Sequence, residues 1–186
     1  MGKDTVATLK EKLRILLEAH ALKRGEFVLS SGKTSHYYLD GRVITLTPEG
    51  SYLVARILLM KAQEESIDAI GGPTLGADPV VGAVACLAHM ESVPLKTFIV
   101  RKAAKEHGMQ RQIEGPVLAG VRNVLLVDDV ATTGKALIEA KAALDKEGIR
   151  ASKAFVIVDR NEGAKENLAR AGLELGSIFT IRDFGL

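Results

Sequence analysis

The sequence predicts an α/β fold with a central, mainly parallel sheet flanked by helices, and three observations carry that expectation. Short apolar runs alternate with segments of helical periodicity from about residue 47 to the end. The runs are rich in Val and Ile, as strands covered on both faces require. At 186 residues the chain has the length of one domain with a substantial core, so residues 1–186 are read as a single unit.

Leu9, Leu13, Leu16, Leu17 and His20 recur at helical spacing, which predicts an amphipathic helix over residues 5–23. Phe27-Val28-Leu29 and Tyr37-Tyr38-Leu39, separated by a Ser30-Ser31-Gly32 turn, read as two short strands outside the main sheet. Thr47-Pro48-Glu49 marks a helix start with Thr47 as N-cap, and Leu53, Ile57 and Met60 supply its buried stripe. The alternation follows: strand 67–70, helix 77–90, strand 95–100, a polar stretch over 101–115, strand 124–127, helix 134–147 ended by Gly148, strand 154–158, helix 163–171 and strand 177–181. Ligands of such sheets sit beyond the carboxyl ends of the strands, which directs attention to residues 71–78, 101–111, 128–136 and 159–160.

Composition narrows the function. Apolar residues make up 47% and charged residues 26%, ordinary for a globular protein, and a net charge of +2 gives no electrostatic support for general nucleic-acid binding. A lone cysteine, Cys86, cannot form an internal disulfide and fits a reducing cytoplasm; its Ala/Val/Leu surroundings predict a buried packing residue. The N-terminus lacks a secretion-signal core, and Pro73, Asp78, Pro79 and several glycines interrupt the most apolar long stretch, so no membrane span is expected. His20, His36 and His89 are isolated and are assigned to packing or surface; no spacing suggests a zinc site.

The most informative segment runs from Val124 to Ala136. An apolar strand enters two adjacent carboxylates, Asp128 and Asp129; Val130, Ala131, Thr132, Thr133 and Gly134 follow, and a helix opens near Lys135. Acids at a strand end can grip hydroxyls or a hydrated metal, while backbone N–H groups at a helix N-terminus can hold a phosphate. A sugar phosphate satisfies both. A P-loop would need Gly at position 129 and Ser or Thr at 136, where Asp129 and Ala136 stand, and a dinucleotide turn would need three glycines where only Gly134 is present. The plainer alternative is a strand end where acids happen to accumulate. This segment resembles the phosphoribosyl pyrophosphate (PRPP) signature of the type I phosphoribosyltransferases. The resemblance implies that family's fold, with a small N-terminal hood over about residues 20–45 and a catalytic core over 46–186. It also implies ribose hydroxyls on Asp128 and Asp129 and the 5-phosphate in the turn from Thr132 to Ala136.

The second informative segment is cationic. Arg101, Lys102, Lys105 and Arg111 face one acid, Glu106, before Glu114, with His107-Gly108 inside the run. Charge runs are commonly solvated turns. This one follows an apolar strand on the expected ligand side and exceeds the usual connection of about 2–6 residues, as lids do. Arg-Lys-x-x-Lys-x-His-Gly resembles the catalytic loop of orotate phosphoribosyltransferases. Gly25-Glu26-Phe27 with Ser31-Gly32 and residues 35–38 resembles their hood, Gly72-Pro73 their pyrophosphate-side turn, and Asp159-Arg160 with Glu162-Gly163-Ala164 their base-binding region.

The family likeness, spanning about residues 13–165, implies transfer of phosphoribose from PRPP to orotate in pyrimidine synthesis, with Mg²⁺ as cofactor. Arg101, Lys102, Lys105 and His107 would surround the pyrophosphate, with Lys105 the main electrostatic catalyst. Thr132 and Arg160 would contact orotate. It further implies a cytoplasmic homodimer whose subunits share the catalytic loop, acting on small molecules without nucleic acid or membrane. A strand-end ion pair of Arg160 with Asp159 or Glu162 stays open as the plainer reading of that residue. Two departures stand out: many relatives have lysine at the position of Ser30, and a Tyr-Lys pair where this chain has Leu75-Gly76. Those roles are not transferred; Gly76 suggests instead close approach of backbone N–H groups to the diphosphate. Rival readings are a purine or uracil phosphoribosyltransferase and a non-catalytic PRPP sensor.

Overall fold

A computed structural model describes residues 5–28, 34–102, 112–116 and 118–186. Lys105, His107, Arg111 and Ser30, singled out above, lie outside the described residues.

Helix α1 (Val6–Leu16) is capped by Thr5, whose hydroxyl accepts the Thr8 N–H at 3.2 Å. The helix is shorter than its periodicity suggested, because a wider turn at Leu17–Ala21 feeds directly into strand β1 (Leu22–Val28). Leu9, Leu13 and Leu17 are buried, whereas His20 is exposed like His36 and His89. Strand β2 (Thr34–Leu39) pairs antiparallel with β1 in a separate two-stranded sheet, as expected for the hood.

After a short α2 (Arg42–Thr45), α3 (Pro48–Glu64) begins as the sequence indicates: the Thr47 hydroxyl accepts the Gly50 N–H, with Pro48 at the helix start. The main sheet is built from β3 (Ala69–Pro73), β4 (Lys96–Val100), β5 (Ile113–Glu114), β6 (Val124–Ala131), β7 (Ala151–Asp159) and β8 (Glu174–Thr180). Its spatial order is β5-β4-β3-β6-β7-β8, parallel throughout except for the β4–β5 edge pair. Helices α4 (Ala77–Met90), α5 (Lys135–Lys146) and α6 (Ala164–Arg170) make the crossovers.

Side-chain alternation along β6 explains why both sheet faces need cover. Leu125 and Val127 pack with α1, α3 and α4, whereas Val124 and Leu126 pack with α5 and α6. Strand order reverses at β3: the chain moves outward to β4, then returns to place β6 on β3's other side. That reversal opens a crevice between the carboxyl ends of β3 and β6.

Three expectations need correction. Cys86 is exposed. Val80, Val84, Leu87 and Ala88 form the buried stripe of α4, and Cys86 falls off it, so local apolar composition misjudged the helix face. Gly72-Pro73 belongs to β3 and not to the turn; the chain leaves the sheet only at Thr74, whose N–H still donates to the Val100 carbonyl. The stretch after β4 contains β5, a two-residue strand too short to announce itself in sequence.

Candidate active site

The crevice between β3 and β6 receives its acids from a strand longer than its apolar run. Strand β6 continues through Asp128 and Asp129 to Ala131 because pairing with β7 persists, Asp128 opposite Val156 and Ala131 opposite Asp159. The acids fold back on their own backbone: Asp128 Oδ1 accepts the Asp129 N–H at 2.9 Å, and Asp129 Oδ1 accepts the Val130 N–H at 2.8 Å. Each carboxylate therefore keeps a second oxygen for another partner.

Burial pushes the Asp128 carboxyl well above the ordinary range, with repulsion from Asp129 adding to it. Burial raises Asp129 as well, opposed first by the Val130 N–H. Asp78, in the first turn of α4, is also raised by burial, and its Oδ1 is a buried oxygen without a hydrogen-bond partner. Asp40 shifts the other way because Arg42 binds it in a two-pronged contact, Nε to Oδ1 at 2.9 Å and Nη2 to Oδ2 at 3.0 Å.

Immediately beyond β6 the chain forms a concave turn. Gly134 has φ of +76°, a left-handed conformation, and ends the turn where α5 begins at Lys135. Residues 130–137 with Asp128 line a cavity of about 180 Å³. The turn is braced from α6, where Asn167 Nδ2 donates to the Thr133 carbonyl at 2.9 Å. Lys135 directs its ammonium toward Glu139, 3.8 Å away on the exposed helix surface, so the backbone and not this charge shapes the turn.

A wider cavity of about 320 Å³ adjoins the turn, sharing Asp128, Val130 and Thr132 with it. Asp129, Thr74, Gly76 and Lys102 line its floor, with Tyr38, Asp40 and Arg42 contributed from the hood side and Arg160 from the end of β7. A larger hollow of about 350 Å³ lies elsewhere, among Ile113, Leu118 and Ile149, with Glu147 the one charged group among the described residues that line it. It lacks the convergent charges of the first two.

The structure thus gathers Lys102, Asp128, Asp129, Val130, Thr132 and Arg160 into one cavity and continues it into Thr133, Gly134, Lys135 and Ala136. Arg101 lines a neighbouring cavity of about 270 Å³ that it shares with Lys102 and Ala136; its guanidinium pairs with Glu114 at 3.5 Å, and its backbone N–H donates to Gln112 O where the chain returns toward β5. Arg160 is buried and pairs with Glu162, not Asp159; Asp159 Oδ1 instead accepts the Asn161 N–H. Asp40, Arg42 and Asn167 were missed. An Asp-Gly-Arg triplet reads as a plain turn, and Asn167 lies 34 residues from the carbonyl it holds. Among the described residues no group of three or more His, Cys, Asp or Glu side chains could by itself hold a metal ion.

Residues 44–175 match the phosphoribosyl transferase domain. An orotate phosphoribosyltransferase of Rhodopirellula baltica is 42% identical over 192 residues, covering 100% of this chain and 99% of the relative. The chain belongs to the orotate phosphoribosyltransferase family. The Aquifex aeolicus member is 43% identical over 94% of this chain and 96% of its own. A crystal structure of the Mycobacterium tuberculosis member in complex with PRPP aligns with a TM-score of 0.79 and 32% identity, covering 96% of this chain and 99% of that one. The family's fold, a mostly parallel sheet flanked by helices, is the one seen here. Among the described residues no helix is long and apolar enough to cross a membrane.

Proposed function

We propose that this protein transfers the 5-phosphoribosyl group of PRPP to orotate, giving orotidine 5′-monophosphate and pyrophosphate in pyrimidine biosynthesis. The observation that carries the reading is the meeting, at the β3–β6 crevice, of a carboxylate pair, a phosphate-sized backbone turn and a buried arginine in adjoining cavities. Asp128 and Asp129 suit ribose hydroxyls: each has an oxygen not committed to its own backbone bond, and donors there would offset the burial that raises both carboxyls. The 132–136 turn suits the 5-phosphate. Thr132 and Arg160 suit orotate, Arg160 by offering a planar fork to its carboxylate.

In the reaction the bond from the anomeric carbon to the pyrophosphate oxygen breaks, that oxygen keeps the electron pair, and an orotate ring nitrogen supplies the pair for the new C–N bond as it gives up its proton, which the departing pyrophosphate can accept. The protein's share is alignment, water exclusion and stabilisation of charge on the leaving group. Lys102 at the cavity wall and Arg101 beside it fit that task, joined on the strength of the sequence by Lys105 and His107. Arg101 would first have to exchange Glu114 for the diphosphate.

Mg²⁺ is the cofactor we assign. Residues here fit a hydrated ion carried on the diphosphate better than an all-protein cage: the donors at the crevice, Asp128 and Asp129, are hard carboxylates, and no preformed cluster exists among the described residues. When bound with the diphosphate, the ion would supply neutralisation of the leaving group's charge. We further propose a cytoplasmic homodimer with the 101–111 loop shared between subunits; Leu46, Tyr52 and Met90 leave exposed apolar surface that an assembly would cover.

The deciding experiment follows orotate ultraviolet absorbance with PRPP and Mg²⁺, alongside a panel of purine bases and uracil. Orotate-dependent consumption that stops on chelation and returns with Mg²⁺ is expected. Turnover of another base in its place, or PRPP binding without turnover, would reject the reading.

A further inference from the structure

Among the described residues Arg160 is the most enclosed cation at the cavity, its side chain only 8% exposed, and its contacts join two separate parts of the fold. Its one Nε hydrogen lies between two acceptors, the Tyr37 hydroxyl at 3.0 Å and Glu162 Oε1 at 2.9 Å. The Tyr37 hydroxyl gives its own proton to the same Glu162 oxygen at 3.3 Å, closing a three-membered ring of polar atoms. The Tyr37 ring also lies under the guanidinium, with Cζ 4.7 Å from the ring centroid. Nη2 reaches Ser35 Oγ at 3.5 Å, a looser contact from the same strand, β2.

The turn after β7 is shaped to make this possible. Asn161 takes a left-handed φ of +55°, its N–H held by Asp159 Oδ1 at 2.9 Å, and that reversal brings Glu162 back over the side chain two residues earlier. The hood thus supplies the tyrosine and the core the glutamate. A free guanidinium offers two bidentate edges, Nε–Nη2 and Nη1–Nη2. Here the first is occupied by the protein, and the stacked ring hinders the group from rolling to present it.

Resting on the function proposed above, we infer that Tyr37 and Glu162 are positioning residues that hold Arg160 with its Nη1–Nη2 edge facing the cavity, so that the pyrimidine's carboxylate is received end-on. Preference for a carboxylated base is then set jointly by hood and core. A cation held in its working orientation loses little freedom when the substrate arrives. The ring also couples the hood to base binding: displacing β2 would remove the Tyr37 and Ser35 contacts, leave Glu162 as the one partner of the Nε edge, and loosen the grip on the carboxylate.

Steady-state kinetics of the full chain with orotate and PRPP, on wild type, Tyr37→Phe and Glu162→Gln, test this. Tyr37→Phe keeps the ring and deletes the hydroxyl; Glu162→Gln keeps an acceptor and deletes the charge. The expected result is a rise in KM for orotate of roughly tenfold for Tyr37→Phe and a smaller rise for Glu162→Gln, in line with hydrogen bonds to a charged group. The KM for PRPP should stay within about twofold in both. Melting temperatures near wild type would accompany this split, which a general loss of structure could not produce. An unchanged orotate KM in both variants, or a loss falling equally on PRPP, overturns the positioning role while leaving the enzyme assignment intact. Failure of the wild type to consume orotate overturns both.

Discussion

Gly76 lies so close to the carboxylate of Asp128 that a Cβ built on it would overlap Asp128 Oδ1, with the Asp129 carboxylate also in its way. The turn leaving β3 and the acid pair leaving β6 are therefore one packed unit across the crevice. On the side where a Cβ would stand, the close approach is to the acids.

Replacing Gly76 with alanine should displace one of the two acids. The expected cost is about 1–3 kcal/mol of stability, as for other overpacked sites, with a larger proportional loss in kcat/KM for PRPP. Thermal unfolding and PRPP titration of the variant read the two effects. A variant with wild-type behaviour in both would contradict the packing seen here.

The acid pair should make the ligand-free protein sensitive to pH in an unusual direction. Asp128 and Asp129 both have folded-state pKa values raised above the ordinary 3.8. Such groups hold their protons more tightly in the folded chain. Their stabilising contribution is full below the unfolded value and is lost as pH rises through the folded one. Asp128→Asn should therefore be more stable than wild type at pH 7, because the substitution removes a carboxyl that burial and its neighbour make costly to ionise in the folded chain. The gap should close as pH falls toward the ordinary carboxylate range. Denaturant unfolding of both proteins across pH measures it, and the subtraction removes carboxylates such as Asp40 and Glu65, which shift downward.

Asn167 braces the phosphate-sized turn from outside it, through the Thr133 carbonyl. Asn167→Ala should raise KM for PRPP roughly two- to tenfold, the worth of one such hydrogen bond, and leave kcat and the KM for orotate nearly unchanged. Initial-rate measurements with each substrate varied in turn would show whether the loss is confined to PRPP.

Lys105→Ala tests the part of the assignment that rests on sequence resemblance. Loss of a preorganised charge donor should lower kcat by about 10²–10³ while PRPP affinity changes far less. Single-turnover rates beside equilibrium PRPP binding separate these effects, and an unchanged rate would remove Lys105 from the mechanism.

The sequence by itself determined the layered α/β architecture, because strand and helix periods differ and Val/Ile runs cannot rest with one face in water. It also located the Asp128–Asp129 pair, the 132–136 turn and Arg160, since each is a local pattern at a strand end. Thr47 and Pro48 announced their helix for the same reason: capping is settled within one turn. Tertiary structure alone decided which face of α4 turned Cys86 outward, because that depends on what the helix packs against. It alone chose Glu162 over Asp159 as the partner of Arg160 and added Tyr37, 123 residues away, to the same group. Contacts between residues far apart in the chain leave no trace in local periodicity; they appear only when strand order at β3 and β6 brings the hood, the acids and the end of β7 to a common crevice.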